Sequence, residues 1–395
     1  MFLIVCLMLT LIHGDSTTAQ NNMSSIASEK TESLWVTAYL AAWNHNAGTP
    51  NSNWGEVTTD QIKWDAITHM IYFALVIDSD GTPKTNLDPA VMQNFNADRL
   101  NAIVPAAHSN NTKILFSVGG AGNGAEFSSA IRPENRRQFF STIRNIITTY
   151  GFDGVDIDME PIKRSDYDNF RSFIRELRNE LDKIKTNSGD RPLLTAAGTK
   201  GDGELFGSLN DSFDQVNIMS YGLVLPWHGW QTYHHTALFE GNYRLESTGA
   251  PFPSVDAMAK NYLKGGLNPK KLGIGMDFNG FVWKGVRFLE KWPGWPSQDL
   301  TLVEDIYNGG LGYSKLAERF NLSDAQWDAE TQTSFLEIQN PQTFVAFDNE
   351  RSIRRKVEYA KERGYGGIMI WSYAEDFMPD TLQPLLQAVK ESVTK

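Results

Sequence analysis

The 395-residue chain contains a single cysteine, Cys6. It can therefore form no internal disulfide and no Cys-based zinc site. Its seven histidines are scattered; His234 and His235 are the one adjacent pair, and no His-x-x-x-His spacing occurs. No metal and no cofactor is expected, and the histidine pair is read as structural. Positive charge is in deficit, with 36 Lys and Arg against 47 Asp and Glu and a net charge of −11. A general nucleic-acid binder needs cations to meet phosphates, so no nucleic-acid partner is expected and a neutral or cationic ligand fits better. Long apolar runs are also missing. The run at 2–12 falls short of the roughly 20 residues that span a bilayer, so no membrane partner is expected. Repeats and low-complexity tracts are absent.

What is present is a globular composition, 41% apolar and 12% aromatic with 11 Trp, enough for a sizeable core and for flat stacking surfaces. Phe2 to Ile12 is almost wholly apolar, and Thr17 and Ala19 stand at small-x-small spacing. This reads as a secretory signal peptide over 1–19 and a secreted, extracellular protein; the alternative is a buried N-terminal strand or helix. Residues 20–33 are polar and patternless, a linker. In 34–390, eight apolar runs read as strands: Trp35–Ala42, Ile67–Leu75, Lys113–Gly119, Phe152–Asp158, Leu193–Ala197, Gln215–Tyr221, Leu272–Phe278 and Gly367–Ser372. Helix-period segments lie between them, such as Arg136–Tyr150, Tyr167–Ile184 and Ile353–Arg363. Eight β units with intervening helices is the count of a (β/α)8 TIM barrel, although alternation alone also suits a doubly wound sheet. The long gap before the last strand predicts a small inserted lobe over about 284–343, between strands seven and eight.

The chemistry concentrates in Phe152-Asp-Gly-Val-Asp-Ile-Asp-Met-Glu-Pro161. Asp156, Asp158 and Glu160 stand two apart. In a strand they share one face at roughly 6.6 Å spacing, with Val155, Ile157 and Met159 on the other. Three carboxylates at the end of a buried strand repel one another, so their pKa values spread and one is kept protonated as a general acid. A divalent-metal site and a plain solvated strand end remain the alternatives.

The segment Asp153-Gly-Val-Asp-Ile-Asp-Met-Glu160 resembles the Asp-Gly-x-Asp-x-Asp-x-Glu signature of glycoside hydrolase family 18, the chitinases and their relatives. Three further segments agree in order. Ser117-Val-Gly119-Gly120 resembles the third-strand Ser-x-Gly-Gly motif, Met219-Ser-Tyr221 the sixth-strand Met-x-Tyr motif, and the run ending in Trp371 the eighth-strand segment. The resemblance spans roughly Trp35 to Leu385 and implies the barrel. It also implies a retaining, substrate-assisted hydrolysis of β-1,4-linked N-acetylglucosamine polymers, with chitin or chitooligosaccharide as partner. By position, Glu160 matches the acid/base and Asp158 the carboxylate that orients the substrate's acetamido group. Asp156 matches the residue sharing a proton with Asp158, Tyr221 the hydroxyl donor to the acetamido oxygen, and Trp371 the floor under the sugar. Gly222 departs from the Asp or Asn usual after that Tyr, and Gly275–Gly280 matches the seventh-strand segment only loosely.

Loops that follow strands line the active face of such a barrel. Trp43, Trp54, Trp227, Trp230 and Trp283 are accordingly expected as sugar platforms, with Phe73, Met219, Gly119 and Gly120 also against substrate. Trp35, Trp64 and Trp327 are expected in the core, and Trp292 and Trp295 as cleft wall or lobe packing. Gly120–Ala125 matches G-x-G-x-x-A, but no helix is expected to open there, and a dinucleotide site is set aside. The chain is expected to be a monomeric chitinase-type hydrolase. An endo-β-N-acetylglucosaminidase acting on glycoprotein glycans and a non-catalytic chitin-binding lectin are the rivals.

Overall fold

The computed structural model describes residues 34–46, 56–84, 95–293 and 310–394. The expected leader and linker, Trp54 and Trp295 lie outside these residues. β1 (Trp35–Ala41) leads through 3-10 turns to β2 (His69–Leu75). Next come α1 (Ala97–Ser109), β3 (Lys113–Ala121), α2 (Gly124–Ala130), α3 (Pro133–Tyr150), β4 (Gly154–Glu160) and α4 (Tyr167–Leu181). They are followed by β5 (Leu193–Gly198), α5 (Gly203–Gly207), β6 (Gln215–Ile218), α6 (Val255–Lys264) and β7 (Leu272–Asp277). A lobe then intervenes, built from β8 (Asn279–Lys284), β9 (Leu311–Gly312), α7 (Tyr313–Arg319), β10 (Gln326–Asp328), β11 (Thr333–Gln339) and β12 (Gln342–Phe347). The chain returns through α8 (Glu350–Glu362) to β13 (Gly367–Trp371) and α9 (Pro384–Thr394). The eight strands β1–β7 and β13 close into one barrel, each parallel to its neighbours, with β13 between β1 and β7.

The continuous apolar runs of these strands suit parallel strands covered on both faces. Val155, Ile157 and Met159 of β4 enter the layer between barrel and helices. There α3 contributes Phe139, Ile143 and Ile147, and α4 contributes Phe170, Phe173 and Leu177, all fully buried. Phe139 and Phe173 stack with centroids 5.0 Å apart. Each such ring contributes about 1.5–3 kcal/mol by leaving water. α3 starts with proline at its first turn and ends at Gly151, whose φ of 80° puts it in the left-handed region that closes a helix.

Several boundaries differ from expectation. Strand four runs from Gly154 to Glu160, so all three carboxylates belong to it; Phe152 and Asp153 precede it. Strand six stops at Ile218, and Met219 to Tyr221 continue as irregular backbone. A helix does open after the Gly120 loop, at Gly124, because Asn123 turns the chain by pairing with both backbone groups of Ile77.

The lobe is wider than 284–343. Its antiparallel sheet has the order β10-β11-β12-β8-β9 and starts at Asn279, two residues beyond β7. The expected limits cut through its two central strands, whose register sets Trp283 opposite Phe344. Phe281, Trp283, Trp292 and Phe344 form the lobe's own core.

Candidate active site

Asp156 is the deepest member of the β4 row. Its carboxylate accepts hydroxyls from three other strands: Tyr39 on β1 across the barrel (3.0 Å), and Ser117 (3.0 Å) and Thr195 (2.6 Å) on the flanking β3 and β5. The β3–β4–β5 register places Ser117 and Thr195 on either side of it. Burial outweighs these donors and pushes the group up to about 6. Its oxygens are thus committed to hydroxyl donors, unlike those of a cation ligand. Among the described residues no cluster of three or more His, Cys, Asp or Glu has metal-holding geometry.

Asp158 is buried, and its Oδ1 has no hydrogen-bond partner. Burial, then the charges of Glu160 and Asp156, hold it well above the usual carboxyl range. It is hydrogen-bonded to Glu160, which sits half-buried at the strand end and is itself raised by burial. Two carboxyls in hydrogen-bond contact cannot both be ionised without strong like-charge repulsion. One proton therefore stays on the Asp158–Glu160 pair. Proton sharing was expected between Asp156 and Asp158; the side-chain hydrogen bond of Asp158 goes to Glu160, while three hydroxyls occupy Asp156.

The row opens into a cleft of about 390 Å³ lined by Asp158, Glu160, Tyr221 and Trp371. Trp43, Phe73, Gly119, Gly120 and Met219 line it too. Trp371 meets Phe73 edge-on at 4.9 Å and Phe73 meets Trp43 edge-on at 5.7 Å, making one continuous aromatic wall. Both glycines are sterically required. A Cβ on Gly119 would lie 2.2 Å from the Asp158 carbonyl oxygen, and one on Gly120 would lie 2.7 Å from the Phe73 ring. The Tyr221 hydroxyl lies 3.7 Å from the Met369 sulfur. Burial and the charges of Asp277, Glu160, Asp158 and Glu375 push its pKa far up, so it remains a donor. A larger hollow of about 500 Å³ lies beside Lys63, Tyr313 and Leu382. Glu350 is its one carboxylate, and no paired acids face it.

Other tryptophans are placed differently. Trp283 is 1% exposed inside the lobe and does not reach the cleft, because β8 pairs with β12 and turns its ring onto Phe344. Trp227 and Trp230 are 57% and 55% exposed, and neither lines the cleft. Their loop is held to the lobe by Gly229 and Trp292 backbone bonds. Trp64 is buried as expected and Trp292 packs the lobe. Trp35 is half-buried over Gly366 and Gly367. Trp327 is not core: it is half-exposed on β10 with the Arg351 guanidinium 4.0 Å above its ring.

One constellation was not foreseen. Asp277 at the end of β7 and Glu375 after β13 are both buried, and His235 Nδ1 lies 3.5 Å from Asp277. Asp277 stands inside the loosely matching Gly275–Gly280 segment, and its place at the C-terminal end of a barrel strand was the available signal. His234 pairs with Asp328 at 2.9 Å, the structural role expected of it.

The family model for glycosyl hydrolases family 18 matches residues 36–376. Chitinase B of Serratia marcescens is 27% identical over 382 residues, covering 80% of this chain and 74% of that protein. A class V chitinase of Arabidopsis thaliana is 28% identical over 276 residues, covering 67% and 69%. The crystal structure of an Ostrinia furnacalis group IV chitinase superposes with a TM-score of 0.76 at 24% identity, covering 92% of this chain and all of the other.

Proposed function

The chain belongs to the glycosyl hydrolases of family 18, and we propose that it is a chitinase, cleaving β-1,4-linked N-acetylglucosamine chains with retention through the substrate's own acetamido group. The observation that carries this reading is the hydrogen-bonded pair of Asp158 and Glu160, both raised by burial, beside an Asp156 held by three hydroxyls.

In the first step the acetamido oxygen attacks the anomeric carbon, and the bond to the leaving oxygen breaks. The pair's proton passes through Glu160 to that oxygen, which leaves Asp158 ionised as positive charge grows on the acetamido group. An ionised neighbour stabilises that charge where water is excluded. The unpartnered Oδ1 of Asp158 is a free acceptor for the acetamido N–H, and the Tyr221 hydroxyl a donor for the acetamido oxygen. Water then attacks the anomeric carbon from the vacated side, gives its proton back to Glu160 and reopens the ring, so the configuration is retained. Trp371, Phe73 and Trp43 supply apolar faces for successive sugars.

Incubation with N-acetylglucosamine hexamer, with products resolved by size and anomer, tests the proposal. New β-anomeric ends are expected. A bound but uncut hexamer would make the protein a lectin, and an uncut, unbound one would move the substrate to a different glycan.

A further inference from the structure

Buried acids outside the β4 row gather at the root of Trp371. The Trp371 carbonyl accepts from Phe278 N–H at 2.6 Å, and Trp371 pairs in register with Asp277. The next residue, Ser372, donates its hydroxyl (3.0 Å) and its N–H (3.4 Å) to the Glu375 carboxylate. Asn279 bridges the two acids. Its backbone N–H donates to Asp277 Oδ1 at 3.3 Å, and its side chain is hydrogen-bonded to Glu375. Asn279 is also the first residue of the lobe sheet, and Ser314 of α7 donates its N–H to the Glu375 carbonyl at 2.9 Å. The strand end that carries the indole is therefore tied, through one carboxylate, to the base of the inserted lobe.

Resting on the reading of Trp371 as the floor of the sugar site, we propose that Glu375 is a positioning residue for Trp371. It holds the indole in place through Ser372 and Asn279, beside the buried carboxyl of Asp277. The division of labour follows from the donors. Glu375 receives three and is the member that ionises; Asp277 receives one backbone N–H and keeps the proton. Other groups facing the pair are His235, Asp376, Tyr221, and Lys356 with its ion-pair partner Asp348 at 2.5 Å. His235 is kept neutral by burial and by Lys356. Burial sets the Glu375 carboxyl at about 7. Below that pH one of its oxygens becomes a hydroxyl and stops accepting from Ser372, so sugar affinity falls as the pH drops.

Hexamer binding in a Glu160→Gln background isolates this effect from turnover. Adding Glu375→Gln is expected to weaken binding about tenfold at about pH 8 and to remove the part of the pH dependence centred near about pH 7. In the otherwise native enzyme Glu375→Gln should raise KM by a similar factor and change kcat by less than about threefold, since stacking acts alike on ground and transition states. Ser372→Ala removes one donor and no charge, and should weaken binding about threefold even if the Gln variant fails to fold. Unchanged affinity and an unchanged pH curve in a folded variant that still binds hexamer would overturn the clamp alone. A folded parent that neither binds nor cuts hexamer would overturn the chitin reading beneath it.

Discussion

Glu160 is the one carboxyl of the row that is only half-buried, and it stands where β4 meets the cleft. Removing its proton-carrying ability while keeping its shape should remove the acid without disturbing the aromatic wall. Glu160→Gln is expected to lower kcat by about 10³, within the range general acids contribute. Hexamer affinity should stay within about twofold, read by titration calorimetry beside the rate assay. Full turnover in this variant would place the acid elsewhere. The same residue scale explains why the alternation of the row was legible. In a strand, polar and apolar residues two apart must face opposite sides, so Asp156, Asp158 and Glu160 point inward because Val155, Ile157 and Met159 belong to the outer layer. Which neighbour Asp158 bonds to was not legible. That depends on Tyr39, Ser117 and Thr195, three hydroxyls from three other strands.

At the scale of elements, the tryptophans separate by what their strands pair with. Trp43 follows β1 at the barrel mouth, is 37% exposed and lines the cleft. Trp43→Ala should raise KM about fivefold to tenfold, by lost stacking, and leave the melting temperature within about 2 °C. Trp283 sits on β8 against β12. Trp283→Ala should cost about 3–5 kcal/mol in denaturant unfolding, the usual cost of emptying a buried aromatic site. A Trp283 variant with native stability and weakened sugar binding would reverse this assignment. From the chain alone both residues follow an expected barrel strand, and nothing local tells them apart. The antiparallel partner of β8 is more than 50 residues downstream, and its register decides that Trp283 faces Phe344.

Over the whole molecule, the buried acids set a pH dependence of stability with an unusual sign. Asp156 is raised to about 6, and Glu375 and Asp376 to about 7, each chiefly by burial. A carboxyl raised on folding binds its proton more tightly in the native state. Its contribution is fully present below its unfolded pKa and is lost as the pH rises through the folded value. Asp328 runs the other way: the bond from His234 holds it down to about 2 against the effect of burial, and its contribution is lost only in stronger acid. His45, His69, His234 and His235 are lowered by burial and work against the raised acids, adding stability as the pH rises from about 4 to 7, so the share of each acid is read from a variant against the native curve. For Asp156 that share is on the order of 3 kcal/mol. Calorimetry of Asp156→Asn beside the native protein across this range checks the sign, since the variant should lose the fall that Asp156 contributes. An Asp156→Asn variant whose melting curve runs parallel to the native one from about pH 4 to 7 would contradict the assignment.

The barrel follows from local order along the chain. Eight apolar runs separated by helix-period segments leave few closed arrangements, since parallel strands need crossovers and both faces covered. The carboxylate row and its inward face follow from the two-residue period of a strand. Contacts between residues far apart in sequence settled everything else. The lobe spans Asn279 to Phe347 because β8 and β12 pair across it. Asp158 bonds to Glu160 and not to Asp156, whose carboxylate three strands saturate. Asp277 and Glu375, nearly 100 residues apart, become neighbours only when β7 and β13 lie side by side in the closed barrel. A charge's surroundings are set by which surfaces fold against it, and no reading of its sequence neighbours contains them.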